Sequence, residues 1–252
     1  MTGLLAGRRA VLTGGAANIG AATAARFAAE GARCVLVDIS SRVNDTAAAI
    51  AAAGAEVTAI VADVSAPDVV ERLAADVVER LGGVDVLVNN AAIQRVGPVT
   101  EFAVADWDET FAVNVRSCFL TARAFVPHLR RAGGGAIVNT SSQVGLHGAA
   151  GATAYSASKG AVIAFTKALA LELAADAIRV NAVCPGWVDT SFNGPAIAML
   201  GGTDAHAELV RASIPLGRQA RPDEIASGTL FLASDASSYM TGQVLPIDGG
   251  VT

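Results

Sequence analysis

The chain has 252 residues, enough for one large α/β domain. Hydrophobic residues make up 52% and charged residues 16%, so a sizeable core can form and disorder is excluded as the general state. A net charge of −5 leaves no basic footprint, which argues against nucleic acid and against anionic lipid as partners.

The chain opens "MTGLLAGRRA", apolar first and then basic, the reverse of a secretory leader. No apolar run reaches the ~18–20 residues of a membrane helix, so a cytoplasmic protein is expected. "RRAVLTGG" predicts a strand running into a glycine turn, followed by the helix "AATAARFAAEGA" with Gly31 as its stop. "RCVLVDI" is a short apolar run, as for a strand covered on both faces. "DTAAAIAAAGA" is a helix, "EVTAIVADVS" a third strand, and "PDVVERLAADVVERLGG" a helix with proline at its start and glycine at its end. "VDVLVNNAA" is a fourth strand. Long helical stretches follow from Val104, with Pro127 expected to kink or interrupt the last part. "AIVNTSS" is strand five, "AYSASKGAVIAFTKALALELA" a long helix and "IRVNAVCPG" strand six. Regularity fades from Trp187 to His206. "PDEIASGTLFLASD" is one more helix and "GQVLPIDGG" the seventh strand. This alternation predicts an α/β fold: a single-domain, doubly wound, Rossmann-type sheet of seven parallel strands over residues 1–252, with helices on both faces. Cys34, Cys118 and Cys184 are widely separated and predict reduced, buried thiols; no metal-ligand spacing is present.

Two features suggest a dinucleotide. "TGGAANIG" (13–20) lies where the first strand meets the first helix. Backbone N–H groups there point outward and favour phosphate, and Gly14 and Gly20 lack a Cβ to block its approach. Asp38 ends the second strand, where a carboxylate can accept hydrogen bonds from the adenosine ribose of NAD and repel the extra phosphate of NADP. Arg33 starts that strand and Arg42 lies beyond the acid, so neither is placed as a phosphate reader.

The sequence resembles the short-chain dehydrogenase/reductase family over nearly its whole length. The resemblance rests on "TGGAANIG", "ADV" (62–64), "NNAA" (89–92), "NV" (114–115), "NTSS" (139–142), "YSASK" (155–159), "CPGWVDT" (184–190) and "TGQVLPIDGG" (241–250), all in family order. Two positions depart from the family pattern: Asn18 replaces a glycine of the turn, and Ala92 replaces the last glycine of N-N-A-G. Asparagine tolerates left-handed backbone, so the turn should survive. The resemblance implies a coenzyme site of Gly14, Asn18, Ile19, Gly20, Asp38, Asp63, Val64, Asn90, Tyr155, Lys159, Pro185, Gly186, Val188 and Thr190. Within it Asp63 and Val64 would contact adenine, and Val188 and Thr190 the nicotinamide amide. It also implies a homotetramer, with "CFLTARAFV" and "AVIAFTKALALEL" available to bury against partners.

Tyr155 and Lys159 stand four apart and share one face of a helix. Bringing a phenol from its usual value of about 10 towards neutrality takes about 3–4 kcal/mol of preferential stabilisation of the phenolate. A nearby ammonium and a positively charged nicotinamide ring would act in that direction. The resemblance completes the catalytic set as Asn114, Ser142, Tyr155 and Lys159, with Ser142 rather than Ser141 orienting the substrate oxygen. The residues around Asn114 would hold a water that relays protons. The expected reaction is hydride transfer between NAD and a small secondary alcohol, with Tyr155 as acid/base. An NADPH-dependent 3-oxoacyl reductase is the alternative, and a non-catalytic dinucleotide sensor a third reading. Substrate contacts are expected from Ser142, Gln143, Gln94, His147 and Trp187, and the 187–206 stretch should form an apolar lid with Phe192, Met199 and Leu200.

Overall fold

The computed structural model describes residues 3–252; Met1 and Thr2 of the amino-terminal stretch lie outside it. Seven parallel strands form one sheet: β1 (Arg9–Thr13), β2 (Arg33–Asp38), β3 (Val57–Val61), β4 (Val86–Asn89), β5 (Gly135–Thr140), β6 (Ile178–Pro185) and β7 (Val244–Ile247). Their order is β3-β2-β1-β4-β5-β6-β7. The winding direction therefore reverses between β1 and β4, and that crevice at the strand carboxyl ends is where open α/β sheets bind ligands.

Successive residues of each strand enter opposite cores, which is why the strands read as unbroken apolar runs. Ala10 and Leu12 of β1 face one core with Phe27 of α1 (Asn18–Ala29), Val43 of α2 (Arg42–Ala51) and Ile225 of α10 (Pro222–Ala233). Val11 enters the other with Leu73 of α3 (Pro67–Leu81), Phe125 of α5 (Ser117–Arg131) and Leu173 of α7 (Thr153–Leu173). Gly82 ends α3 at φ 75°, a left-handed stop that costs a glycine little.

Two expectations about regularity are corrected. α5 runs through Pro127 without ending. The irregularity comes earlier, between α4 (Val104–Phe111) and α5, as a wide π turn over Ala112–Arg116 that contains Asn114. The stretch after Trp187 is also more ordered than its sequence suggests. It holds α8 (Gly194–Met199) and then α9 (Thr203–Ser213), which buries only His206 and Val210 and so carries little helical apolar signal. A four-residue helix, α6 (Val144–His147), follows β5. All three cysteines are free and buried, and burial pushes the Cys34 thiol up to about 12. No helix of the described residues is long and apolar enough to cross a membrane.

Candidate active site

A cleft of about 270 Å³ opens at the carboxyl ends of the strands, at the point where the strand order reverses. One end is built by the β1–α1 turn. Gly14 sits at φ 69°, and a Cβ on it would come within 2.8 Å of Asn90 Nδ2 and 2.9 Å of Ala91. A Cβ on Gly20 would overlap the Gly14 carbonyl oxygen, so Gly20 permits the turn although it does not itself line the cleft. Thr13 and Asn90 tie the turns after β1 and β4 together. The N–H groups of Asn90 and Ala91 donate to Thr13 Oγ1 at 3.0 and 3.1 Å, and Asn90 Nδ2 donates to the Gly14 carbonyl at 3.2 Å. Asn18 adopts φ 54°, the left-handed backbone that its glycine-replacing position requires. Ala92 lines the cleft and is not among the positive-φ residues, so the missing glycine costs nothing there.

The amino end of α1 has no side-chain cap and no acid in its first turn, which leaves its N–H groups and positive dipole end open to an anion. Asp38 stands beside it. Its Oδ2 accepts from Ala16 N at 3.0 Å and its Oδ1 from Ser40 N at 2.9 Å, so the carboxylate is held rigidly at the cleft wall. Arg42, set aside on sequence position, also lines this end. Arg33 is turned away, donating to Glu56 and to the Leu81 carbonyl. Ile19, Pro185, Gly186, Val188 and Thr190 line the cleft as expected. Asp63 and Val64 do not. The Asp63 carboxylate accepts from the backbone and hydroxyl of Ser65, and Val64 is buried in the core.

At the other end, α7 presents Tyr155 and Lys159 to the same wall, with Lys159 Nζ 5.7 Å from the phenol ring centre. Lys159 is 2% exposed, and its ammonium donates to the Thr140 carbonyl at 2.8 Å. The two serines after β5 divide their work. Ser141 donates to the Lys159 carbonyl at 2.8 Å and so braces α7. The Ser142 hydroxyl makes only long contacts, at 3.4 and 3.5 Å, and sits beside Tyr155 in the cleft. Asn114 does not line the cleft. Its Oδ1 accepts from Ile93 N at 2.8 Å, and its Nδ2 donates to the Ile93 carbonyl and to Ser158 Oγ, each at 3.0 Å. It brackets the loop after β4 against α7.

The electrostatics differ from the sequence expectation of an acidified phenol. Among the protein's own groups, burial pushes the Tyr155 phenol above its usual value, and the neighbouring Ser142 hydroxyl opposes this only in part. Burial also pulls the Lys159 amine down to about 8. Desolvation is the largest cause for both groups, which are almost wholly enclosed.

Gln94, Gln143, Trp187 and Phe192 also line the cleft, and the Phe192 ring lies 6.1 Å from that of Tyr155. Trp187 rests on buried His206 with ring centres 4.6 Å apart. Two expected contributors fall outside. His147 is exposed, with Nδ1 2.8 Å from its neighbour's carbonyl at Gly148. Met199 packs against Gly151 instead of facing the cleft, and Leu200 is partly exposed. Val144 and Asn193 line the cleft and carried no sequence signal. Among the described residues no cluster of three or more His, Cys, Asp or Glu could hold a metal ion.

Residues 14–252 match the family model described as enoyl-(acyl carrier protein) reductase. The chain belongs to the short-chain dehydrogenase/reductase family. Family members use nicotinamide dinucleotides, and this chain is an oxidoreductase of that kind. It is 42% identical to the 3-oxoacyl-(acyl-carrier-protein) reductase of Thermotoga maritima over 98% of each sequence. Among solved short-chain dehydrogenases/reductases, it is similar to levodione reductase (TM-score 0.94, 36% identity, 98% of each chain). It is also similar to NAD+-bound xylitol dehydrogenase (TM-score 0.93, 33% identity, 98% of this chain and 99% of that one).

Proposed function

We propose that residues 1–252 act as one unit that interconverts a small secondary alcohol and its ketone, with NAD as coenzyme and Tyr155 as acid/base. The observation that carries this reading is that Tyr155, Ser142 and Lys159 share one cleft with the Gly14–Ile19 turn and Asp38. The residues fit a dinucleotide: the turn is a cradle that side chains would fill, and it leads into an uncapped helix end. Gly14 and the N–H groups of α1 would hold the pyrophosphate, Asp38 a ribose, and Val188 and Thr190 the nicotinamide end. When bound, the coenzyme supplies the hydride acceptor or donor.

The chain's own residues manage the oxygen and its proton. Ser142 donates to the substrate oxygen and orients it. The Tyr155 phenolate takes the proton from that oxygen in oxidation, and the phenol returns it in reduction. Lys159 keeps a positive charge beside the phenol, at a distance set by its bond to the Thr140 carbonyl. Asn114 acts by position, through its grip on Ile93 and Ser158. A panel of small secondary alcohols with NAD, followed by absorbance of the reduced coenzyme, tests the proposal; no reduction by any of them would overturn it.

The second reading, an NADPH-dependent reductase of 3-oxoacyl thioesters, is favoured by the Thermotoga relative and by Arg42 at the cleft. Asp38 opposes it, because a carboxylate locked by two backbone donors cannot swing away from a ribose phosphate. The chain should bind NADH at least about tenfold tighter than NADPH, the worth of ~1.4 kcal/mol of charge repulsion. Fluorescence titrations with the two coenzymes give the ratio, and parity would favour the reductase.

We also propose a homotetramer. Phe119 on α5 and Leu171 on α7 are 48% and 83% exposed on the two helices singled out by sequence. Sedimentation equilibrium should give a mass of four chains, and a monomer would overturn this.

A further inference from the structure

We infer that the substrate is a neutral polyol carrying a hydroxyl on the carbon next to the reacting carbinol, and that Gln143, with Gln94, selects it. The inference rests on the alcohol-oxidising reading above and narrows it.

The first observation is what the substrate end lacks. Among the described residues the only charged side chains lining the cleft are Asp38 and Arg42, at the β2 end, and Lys159, whose ammonium is held by the Thr140 carbonyl. A carboxylate, phosphate or ammonium on the substrate would have no counter-charge and would be buried at a cost. The second observation is what that end offers. Oε1 of Gln94 and Oε1 of Gln143 are both buried and have no hydrogen-bond partner among the described residues. Gln143 is only 7% exposed and follows Ser142 directly in the chain.

Buried amide oxygens without partners are uncommon in folded proteins and call for an explanation. A hydroxyl group answers it well, because it both donates and accepts and so satisfies whichever end of the amide turns towards it. Ser142 and Tyr155 occupy the oxygen that reacts. The amide one residue along from Ser142 is then placed to bond the oxygen on the adjacent carbon. Trp187 and Phe192 supply apolar walls for the C–H faces of such a compound. A site built to bond a hydroxyl rejects the analogue lacking it far more strongly than an apolar pocket rejects an extra group.

The test uses the full chain with NAD and two matched pairs: 2-butanol with meso-2,3-butanediol, and cyclohexanol with cis-1,2-cyclohexanediol. The diol of each pair should show a kcat/KM at least tenfold above its mono-alcohol. In Gln143→Leu that ratio should fall to near one, and Gln94→Leu should lower it in part. Calorimetric titration of meso-2,3-butanediol into the chain saturated with NADH reads the same contact without turnover, and Gln143→Leu should weaken that binding at least tenfold. Mono-alcohols oxidised as well as diols would overturn this inference and leave the alcohol reading intact. A Gln143→Leu variant that lost both substrates in equal proportion would also overturn it, since that marks a structural role. If neither kind of alcohol is oxidised although NADH binds, the alcohol reading falls and this inference with it.

Discussion

Tyr155→Phe should bind NADH as the wild type does and lose between about 10² and 10⁴ of its turnover, the range that a positioned acid/base contributes. The substitution removes one oxygen from a ring that is 7% exposed and packed near Phe192, so the fold has no reason to change. Coenzyme affinity measured by fluorescence separates loss of chemistry from loss of the site. Wild-type turnover in the variant would end the assignment. The wild-type pH profile carries a second reading of the same residue. Because burial holds the phenol above its usual value, its deprotonated form grows as pH rises through the alkaline range. Oxidation needs that form and should accelerate with pH, while reduction needs the protonated phenol and should be sustained at neutral pH. A kcat/KM for oxidation that is flat from pH 6 to 10 would contradict this.

Much of this site could be read from the order of residues, because it lies at places where backbone geometry decides identity. A strand-to-helix turn needs residues without Cβ at Gly14 and Gly20, and a left-handed position admits asparagine, as at Asn18. Asp38 is a charge at the end of an apolar strand, and Tyr155 and Lys159 share a helical face because four residues make about one turn. The two faces of the sheet were legible for a similar reason, since strands covered on both sides leave no polar alternation.

What stayed hidden depends on contacts between distant segments. The asparagines of β4 and β5 are fifty residues apart, yet Asn89 Oδ1 accepts from Thr121, Asn89 Nδ2 donates to Asn139 Oδ1, and Asn139 Nδ2 donates to Thr166. This buried polar chain joins α5 to α7 along one face of the sheet, and nothing local announces it. Asn114 was marked by the family resemblance, but its bracket on Ile93 is a fact of the π turn. The burial that raises the Tyr155 phenol among the protein's own groups was hidden for the same kind of reason. Sequence shows which charges are neighbours, but the extent of burial that outweighs them appears only in three dimensions.

Lys159→Met should abolish most turnover and also change how stability depends on pH. The amine sits at about 8 in the folded protein against an ordinary 10.5. Below pH 8 both folded and unfolded chains carry its proton, and the full cost of enclosing the charge is present. Between about 8 and 10.5 the unfolded chain holds more protons than the folded one, so wild-type stability gains with rising pH; above 10.5 the penalty is gone. The gap between 10.5 and 8 corresponds to about 3 kcal/mol. Methionine fills a similar volume and has no proton to lose, so the variant lacks this gain. Removing the donor from the Thr140 carbonyl costs about 1–3 kcal/mol at every pH, which offsets the two curves without changing their relative slope. Urea midpoints at pH 7.5 and pH 10 should therefore show the wild type gaining about 2 kcal/mol on the variant. Parallel curves would mean that the amine is not desolvated at all, and a partner for its charge would then have to exist in the cleft.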